Sequence, residues 1–330
     1  MKTAVVLMNL GGPDSLTAVK PFLFHLFKDP AILKVPNPFR YLLAKMISWR
    51  REKEAQKIYQ SIGGKSPLRE ETEAQTEALE SALGKDYKVF IAMRYWHPFT
   101  EEAYTQVKAY APDQVVLLPL YPHYSTTTTA SSLAHWKKVA TALIVPTYEL
   151  CCYPLLQELI AYYVQAIERV YQTCESPEKV RLLFTAHGLP ERVVAAGDPY
   201  PMQVKVSVEA IIAQLSFDPD YVICYQSKIG PLAWLKPDAA TEIERAGHEG
   251  KGVILIPISF VSEHSETLYE LDQQYKKLAE KRRVPFYFRL STPRGDPQFI
   301  KGLARMVKQA AAYNVCDKKR CCQKGMKDVV

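Results

Sequence analysis

The sequence predicts an α/β fold of two similar lobes, each built on a parallel four-stranded sheet, with an active-site cleft between them. Three observations predict it. The chain is 330 residues long, more than one hydrophobic core usually absorbs. Eight short runs rich in Val, Ile, Leu and Phe, four before residue 150 and four after, are each closed by Gly, Pro or polar residues. Longer stretches of helical period separate them, and alternating β and α elements imply parallel sheets covered by helices through right-handed crossovers.

The first run, AVVLMNL (4–10), reads as a buried parallel strand because its apolar residues are continuous rather than alternating, and it stops at Gly11-Gly12-Pro13. Beyond the segment 21–64, EETEAQTEALESAL (70–83) has the spacing of an amphipathic helix. KVFIAMR (88–94), QVVLLPL (114–120) and TALIVPTYE (141–149) complete a first set of four strands. PLLQELIAYYVQAIERVYQ (154–172) is the next helix, followed by the strand VRLLFT (180–185) and the helix QVKVSVEAIIAQL (203–215). YVICYQ (221–226) and GVILIPI (252–258) are strands, SETLYELDQQYKKLAEKR (265–282) is a helix, and VPFYFRL (284–290) is the last strand. The expected organisation is a lobe over 1–150 that includes an apolar lip at 21–64, a second lobe over 151–300, and a C-terminal helix with a cysteine-containing tail over 301–330.

With 48% hydrophobic and 23% charged residues, the chain has ample apolar surface to offset its conformational entropy, which excludes disorder. A net charge of +7 suits nucleic acid, an anionic membrane face or an anionic substrate. Nucleic-acid readout motifs are missing and the basic residues form no aromatic-interleaved platform, so no nucleic-acid partner is expected. Neither GxGxxG, GxxxxGK[ST] nor GxSxG occurs, which argues against a dinucleotide site, an NTP site and a nucleophile elbow. The opening MKTAVVLMNLGGPDS has too short an apolar run for a secretory signal, and no stretch reaches 18 uncharged apolar residues, so a cytoplasmic protein is expected. In a reducing compartment the seven cysteines read as core thiols or metal ligands rather than disulfides.

Ligands of parallel α/β sheets bind outside the carboxyl ends of the strands, and polar, aromatic and glycine residues concentrate there: Asn9 to Ser15, Arg94-Tyr95, Tyr121 to Ser125, His187-Gly188, Gln226-Ser227 and Ser259 to His264. For any one of them a satisfied turn residue is the ordinary reading; six strand ends together point to a crevice. If a helix starts near Ser262, Glu263, Glu266 and Glu270 fall at i, i+3 and i+7 on one face, with His264 at its start. Such a stripe serves a solvated helix N-terminus or a site. His187, fixed in a tight turn by Gly188 and Pro190, pairs with Glu266 and Glu270 to suit proton transfer or a borderline divalent ion such as Fe²⁺. The segment 21–64 sets Phe, Leu, Met, Trp and Tyr beside Lys34, Arg40, Lys45, Arg50, Arg51, Lys53 and Lys57. It reads either as a lid helix with a basic wet face or as an apolar lip that admits a large flat ligand and rests on an anionic bilayer.

At these residues the chain resembles the ferrochelatase family, through LMNLGGPDSL, YQSIGGKSPL, RYWHPFTEEA, YPHYSTTTTASS, TAHGLPER, CYQSKIGPLAWL and PISFVSEHSETLYELD, in the family's order and over residues 5 to about 310. The resemblance implies two Rossmann-like lobes, chelatase-like, around a porphyrin cleft, and a lyase that inserts Fe²⁺ into protoporphyrin IX to form protoheme. It implies His187 as metal ligand or pyrrole base and Glu266 as its metal-binding or proton-handling partner, with His264 and Glu270 continuing an acidic path. Arg94 and Tyr95 match an RY pair near the opposite face of the macrocycle; Arg51, Tyr59 and Ser66 match porphyrin and propionate contacts. Glu54 stands where some relatives carry a basic propionate partner, leaving Lys53 and Lys57 as substitutes. Leu10 occupies a position that is apolar in the protoporphyrin-using branch and Tyr in the coproporphyrin-using branch.

The basic, apolar lip and the +7 charge lead to the expectation of a peripheral contact with the inner membrane surface, at its cytoplasmic face. Some members hold a [2Fe–2S] cluster on one internal and three C-terminal cysteines. Here the tail offers Cys316, Cys321 and Cys322, the family's internal position is Thr126, and Cys151 or Cys152 would supply the fourth ligand; Cys174 and Cys224 read as buried core thiols. Two other classes stand beside this reading. A cobalt or nickel tetrapyrrole chelatase would carry a more histidine-rich site and no lip, and a porphyrin carrier would not need the glutamate stripe.

Overall fold

The computed structural model describes residues 1–228, 230 and 232–311. The described residues form two compact units, Met1–Cys152 joined by residues 294–311, and Tyr153–Pro293.

The first unit opens with β1 (Thr3–Asn9), α1 (Val19–Lys28), α2 (Phe39–Ser61), α3 (Leu68–Leu83) and β2 (Tyr87–Met93). It continues with α4 (Thr100–Tyr110), β3 (Gln114–Pro119), α5 (Thr129–Val139) and β4 (Thr147–Glu149). The strands are parallel in the order β2-β1-β3-β4, with Val5 opposite Val89 on one side and Val116 on the other. All seven residues of β1 are buried, as a central strand covered on both faces requires. Its side chains Ala4, Val6 and Met8 join Val115, Leu117 and Trp136 in one core, while Phe22, Phe27 and Tyr59 of the lip segment form another with Val19.

The second unit contains α6 (Gln157–Tyr171), β5 (Val180–His187), α7 (Glu191–Ala195), α8 (Tyr200–Ile212), β6 (Asp220–Gln226), α9 (Ala239–His248) and β7 (Gly252–Pro257). A π-helix over Glu266–Tyr275 then runs into α10 (Lys276–Lys281), and β8 (Tyr287–Arg289) closes a parallel sheet ordered β6-β5-β7-β8. Every residue of β5 is buried except His187 at its carboxyl end.

All eight expected strands are present, but β4 and β8 are far shorter than the runs 141–149 and 284–290. Both lie at sheet edges and both follow a proline, Pro146 or Pro285, which has no N–H for the ladder. Ile144, inside the expected run, is 95% exposed.

The last helix, α11 (Pro297–Lys308), packs on α3, so residues 294–300 belong with the first unit and not with the second as the sequence reading had them. Asp296 caps α11 by accepting from the backbone N–H groups of Gln298 and Phe299. Arg294 pairs with Glu71 of α3 at 2.5 Å, and Lys308 donates to Ala82 O.

Candidate active site

In the second unit the carboxyl ends of β5, β6 and β7 bring together His187, Ser227, Ser259 and the π-helix. His187 Nδ1 lies 2.8 Å from Glu266 Oε2. Ser227 Oγ donates toward Glu266 Oε2 at 3.0 Å and also contacts Glu270 Oε2, and Ser227 N donates to Glu270 Oε1 at 2.9 Å. Tyr275 Oη donates to the same Glu270 oxygen. Ser227 adopts φ +63°, a left-handed conformation unusual for a side-chain-bearing residue, which turns both its N–H and its hydroxyl onto the carboxylates.

His187 is held from behind. Its backbone N–H donates to Ser259 Oγ, which also receives Tyr200 Oη at 3.0 Å. Gly188 follows because a Cβ there would meet Gln226 O at 2.8 Å.

Charge and burial set the protonation of the cluster. Burial lowers the His187 pKa, but the Glu266 carboxylate and its hydrogen bond outweigh this and raise it above the ordinary imidazole value. Burial opposes ionisation of Glu266, yet the His187 charge and hydrogen bond bring its pKa down to about 2. Glu270 moves the other way, raised by burial and by the Glu266 charge. His264 sits before the π-helix with its pKa lowered mainly by burial; its Nδ1 accepts from Thr267 N at 3.3 Å, and its ring packs edge-on against Phe260.

Glu263 does not join the expected stripe. The helix starts at Glu266 rather than near Ser262, and its wider i→i+5 winding departs from the i, i+3, i+7 face. Glu263 is buried instead against Arg289 at 2.8 Å and accepts from Thr292 N and Oγ1. Among the described residues no three His, Cys, Asp or Glu side chains gather in the manner of a held metal ion.

The first unit contains a second polar cluster. Asp29, 5% exposed, accepts through Oδ2 from Arg94 Nη2 at 2.6 Å, Tyr95 Oη at 2.9 Å and Ser131 Oγ at 2.6 Å. Burial opposes ionisation of Asp29, but Ser131 and Arg94 hold its carboxyl below the usual range. The Arg94 guanidinium lies 5.2 Å from the Tyr95 ring centre. Leu10, Tyr59 and Tyr95 share one apolar cluster, while Arg51 is half-buried along α2. Ser66 packs so closely on Gly12 that a Cβ at Gly12 would approach its Oγ to 2.3 Å.

The comparisons bear on what these clusters serve. The sequence pattern of the family Ferrochelatase matches residues 2–311. The chain belongs to the ferrochelatase family. Its relatives include the ferrochelatase of Caulobacter vibrioides (strain NA1000 / CB15N), 52% identical over 314 residues, which covers 94% of this chain and 90% of that protein. The ferrochelatase of Wolbachia sp. subsp. Drosophila simulans (strain wRi) is 51% identical over 311 residues, 92% of this chain and 98% of the relative. Among solved structures, SirB from Bacillus subtilis with Fe³⁺ aligns with a TM-score of 0.58 over 98% of this chain and 99% of its own, at 11% identity, a likeness of fold alone. The two four-stranded parallel lobes expected from the sequence are those of a ferrochelatase, and the chain is a metal chelatase.

Sequence reading missed Ser227, Tyr275, Asp29 and Ser131 as site neighbours. Ser227 stood among the strand-end residues, and φ > 0 at that turn is its structural signature; Asp29 follows the apolar helix PFLFHLF with nothing local to announce its three donors. Of the cysteines, Cys151 and Cys152 are buried with sulfurs 3.5 Å apart, and Cys224 is fully buried. Cys174 is only half-buried rather than a core thiol, because it sits past the end of α6, its Sγ on Val170 O. Cys316, Cys321 and Cys322 lie outside the described residues.

Proposed function

We propose that the His187 cluster is the catalytic centre of a ferrochelatase that inserts Fe²⁺ into protoporphyrin IX, releasing two protons and forming protoheme at the terminal step of heme biosynthesis. The carrying observation is the 2.8 Å His187–Glu266 pair, joined through Ser227 to a second carboxylate of opposite pKa tendency. Glu266 remains ionised, so the proton of neutral His187 sits on Nδ1, facing the carboxylate. Nε2 then carries the lone pair that removes a pyrrole proton, and Glu266 stabilises the imidazolium that results. Two carboxylates with divergent pKa values divide the work: Glu266 serves as the fixed charge, while Glu270 accepts the departing proton. Fe²⁺ is a substrate here, attracted by the same carboxylates and by His187, with His264 beside its path.

On the porphyrin side, Leu10, Tyr59 and Tyr95 supply apolar contact, and Arg94, Arg51 and Ser66 supply the polar groups that orient ring and propionates. Leu10 favours protoporphyrin over coproporphyrin. Fluorescence titration with protoporphyrin IX and Zn²⁺ or Fe²⁺ tests the reading: the wild type is expected to lose free-porphyrin emission as metalloporphyrin forms. His187→Ala and Glu266→Gln should bind porphyrin without metallating it. Near-normal turnover in either variant refutes the assignment, and binding without metallation by the wild type makes the protein a carrier.

The lip carries a further proposal, contact with the cytoplasmic face of the inner membrane. No described helix is long and apolar enough to cross a bilayer. Phe39, Leu42 and Trp49 are 64%, 59% and 66% exposed on α2, among Lys45, Arg50 and Lys53, a combination that suits an anionic interface. Co-sedimentation with anionic but not neutral vesicles, reduced by Trp49→Ala, is the expected result. A [2Fe–2S] cluster would take Cys151 or Cys152 as its internal ligand and Cys316, Cys321 and Cys322, which lie outside the described residues, as the other three; its absorption bands and labile sulfide in purified protein test it, and it would supply no step of the insertion chemistry.

A further inference from the structure

The two residues of β8 that share a sheet face, Tyr287 and Arg289, both reach the π-helix. Tyr287 Oη donates to Leu271 O at 2.7 Å. Arg289 forms a two-pronged bond with Asp272, Nε to Oδ1 at 2.8 Å and Nη2 to Oδ2 at 2.5 Å, and its Nη1 donates to Glu263 at 2.8 Å. Alternate residues of a strand point to one side, so a three-residue strand suffices to present both. The contacts bracket the catalytic carboxylates: Glu263 lies three residues before Glu266, while Leu271 and Asp272 lie one and two residues beyond Glu270.

A π-helix is a rare winding that mostly appears as a single-turn bulge, whereas this one runs over ten residues beside side chains that can support it. Here the support is a buried guanidinium, whose side chain is only 9% exposed, gripping the segment before and within the helix. The planar fork of Arg fixes direction as well as distance, which a lysine could not do. We infer that Tyr287 and Arg289 are positioning residues that fix the place and winding of the segment bearing Glu266 and Glu270, and thereby set the distance of those carboxylates from His187 and Ser227. The inference rests on the proposed ferrochelatase reading, in which these carboxylates act in metal insertion.

Removal of Arg289 would leave Glu263 buried without its counter-charge and so endanger folding. Tyr287→Phe and Asp272→Ala each cut one contact and leave the Arg289–Glu263 pair intact. Zinc insertion into protoporphyrin IX by the full-length protein is expected to fall about tenfold in kcat in the double variant, with KM for porphyrin within twofold of wild type, as misplacement of catalytic groups predicts. Asp272→Glu should recover part of the loss of Asp272→Ala. Hydrogen exchange is expected to quicken over 266–275 and not in the sheet. Unchanged kcat and unchanged exchange in the folded double variant overturn the inference, as does a loss confined to KM. Failure of the wild-type protein to metallate porphyrin would instead sink the proposed function and leave the exchange measurement as the test of positioning.

Discussion

At His187 burial and charge act in opposite directions, and the outcome fixes a pH dependence. Burial alone would keep the imidazole neutral well into the acid range, but Glu266 at 2.8 Å raises its pKa above the ordinary 6.5. A base must be neutral to accept a pyrrole proton, so the rate should climb as pH rises through that raised value. Glu266→Gln keeps the shape and removes the charge. The His187 pKa then drops, and the titration of the His187 ring signals followed by NMR should move to lower pH; a shift to higher pH or none would refute the electrostatic pairing. His187, Glu266 and Glu270 were legible as strand-end and helix residues because their types carry the chemistry. Ser227 and Asp29 were not, since what defines them is which neighbours the parallel sheets bring beside them: Gln226 pairs with His187 across β5 and β6, and the next residue, Ser227, reaches the same Glu266 oxygen as the imidazole.

The strand-to-loop turn at β5 shows how an element holds the residue it presents. Gly188 N donates to Gln226 O at 2.9 Å, and the backbone there passes so close to β6 that a methyl group would sit 2.8 Å from that carbonyl oxygen. Gly188→Ala must push the two strand ends apart. By the usual cost of forcing a methyl into a packed site the change should destabilise the fold by about 1–3 kcal/mol in urea denaturation, and it should lower kcat further by moving His187. Unaltered stability and turnover would show that the close approach is not required. The Gly-x-Pro turn was readable, as were the eight strands, because continuous apolar runs between Gly and Pro leave few alternatives. The π-winding after Ser265 was not: the apolar positions of ETLYELDQQY fit an α-helix as well, and the added residue per turn is enforced from outside by Tyr287 and Arg289. The short edge strands β4 and β8 likewise depend on where each sheet ends, which no local pattern encodes.

At the scale of the whole chain, the sequence order of the strands gave the two lobes, whereas the return of α11 to the first unit could not be seen in it, because the amphipathic pattern of PQFIKGLARMVK names a buried face without naming its partner. The packing argues that this return is structural. Phe299 and Leu303 are fully buried, and Ile300 and Val307 are 3% exposed. At about 1.5–3 kcal/mol for each large apolar side chain removed from water, the four contribute roughly 6–12 kcal/mol, an upper figure because the unfolded chain buries some of the same surface. That is comparable to the about 5–15 kcal/mol that separates a folded domain from its unfolded chain. A stop before Arg294 would also leave Glu71, itself 9% exposed, without that guanidinium. A chain stopped after Pro293 should therefore lose cooperative unfolding of the first unit in calorimetry and become open to proteolysis within 1–152. Leu303→Ala, which deletes one of the four, should cost about 3 kcal/mol while leaving the transition cooperative. If the truncated chain melts as the full-length protein does, α11 lies on the first unit without holding it together.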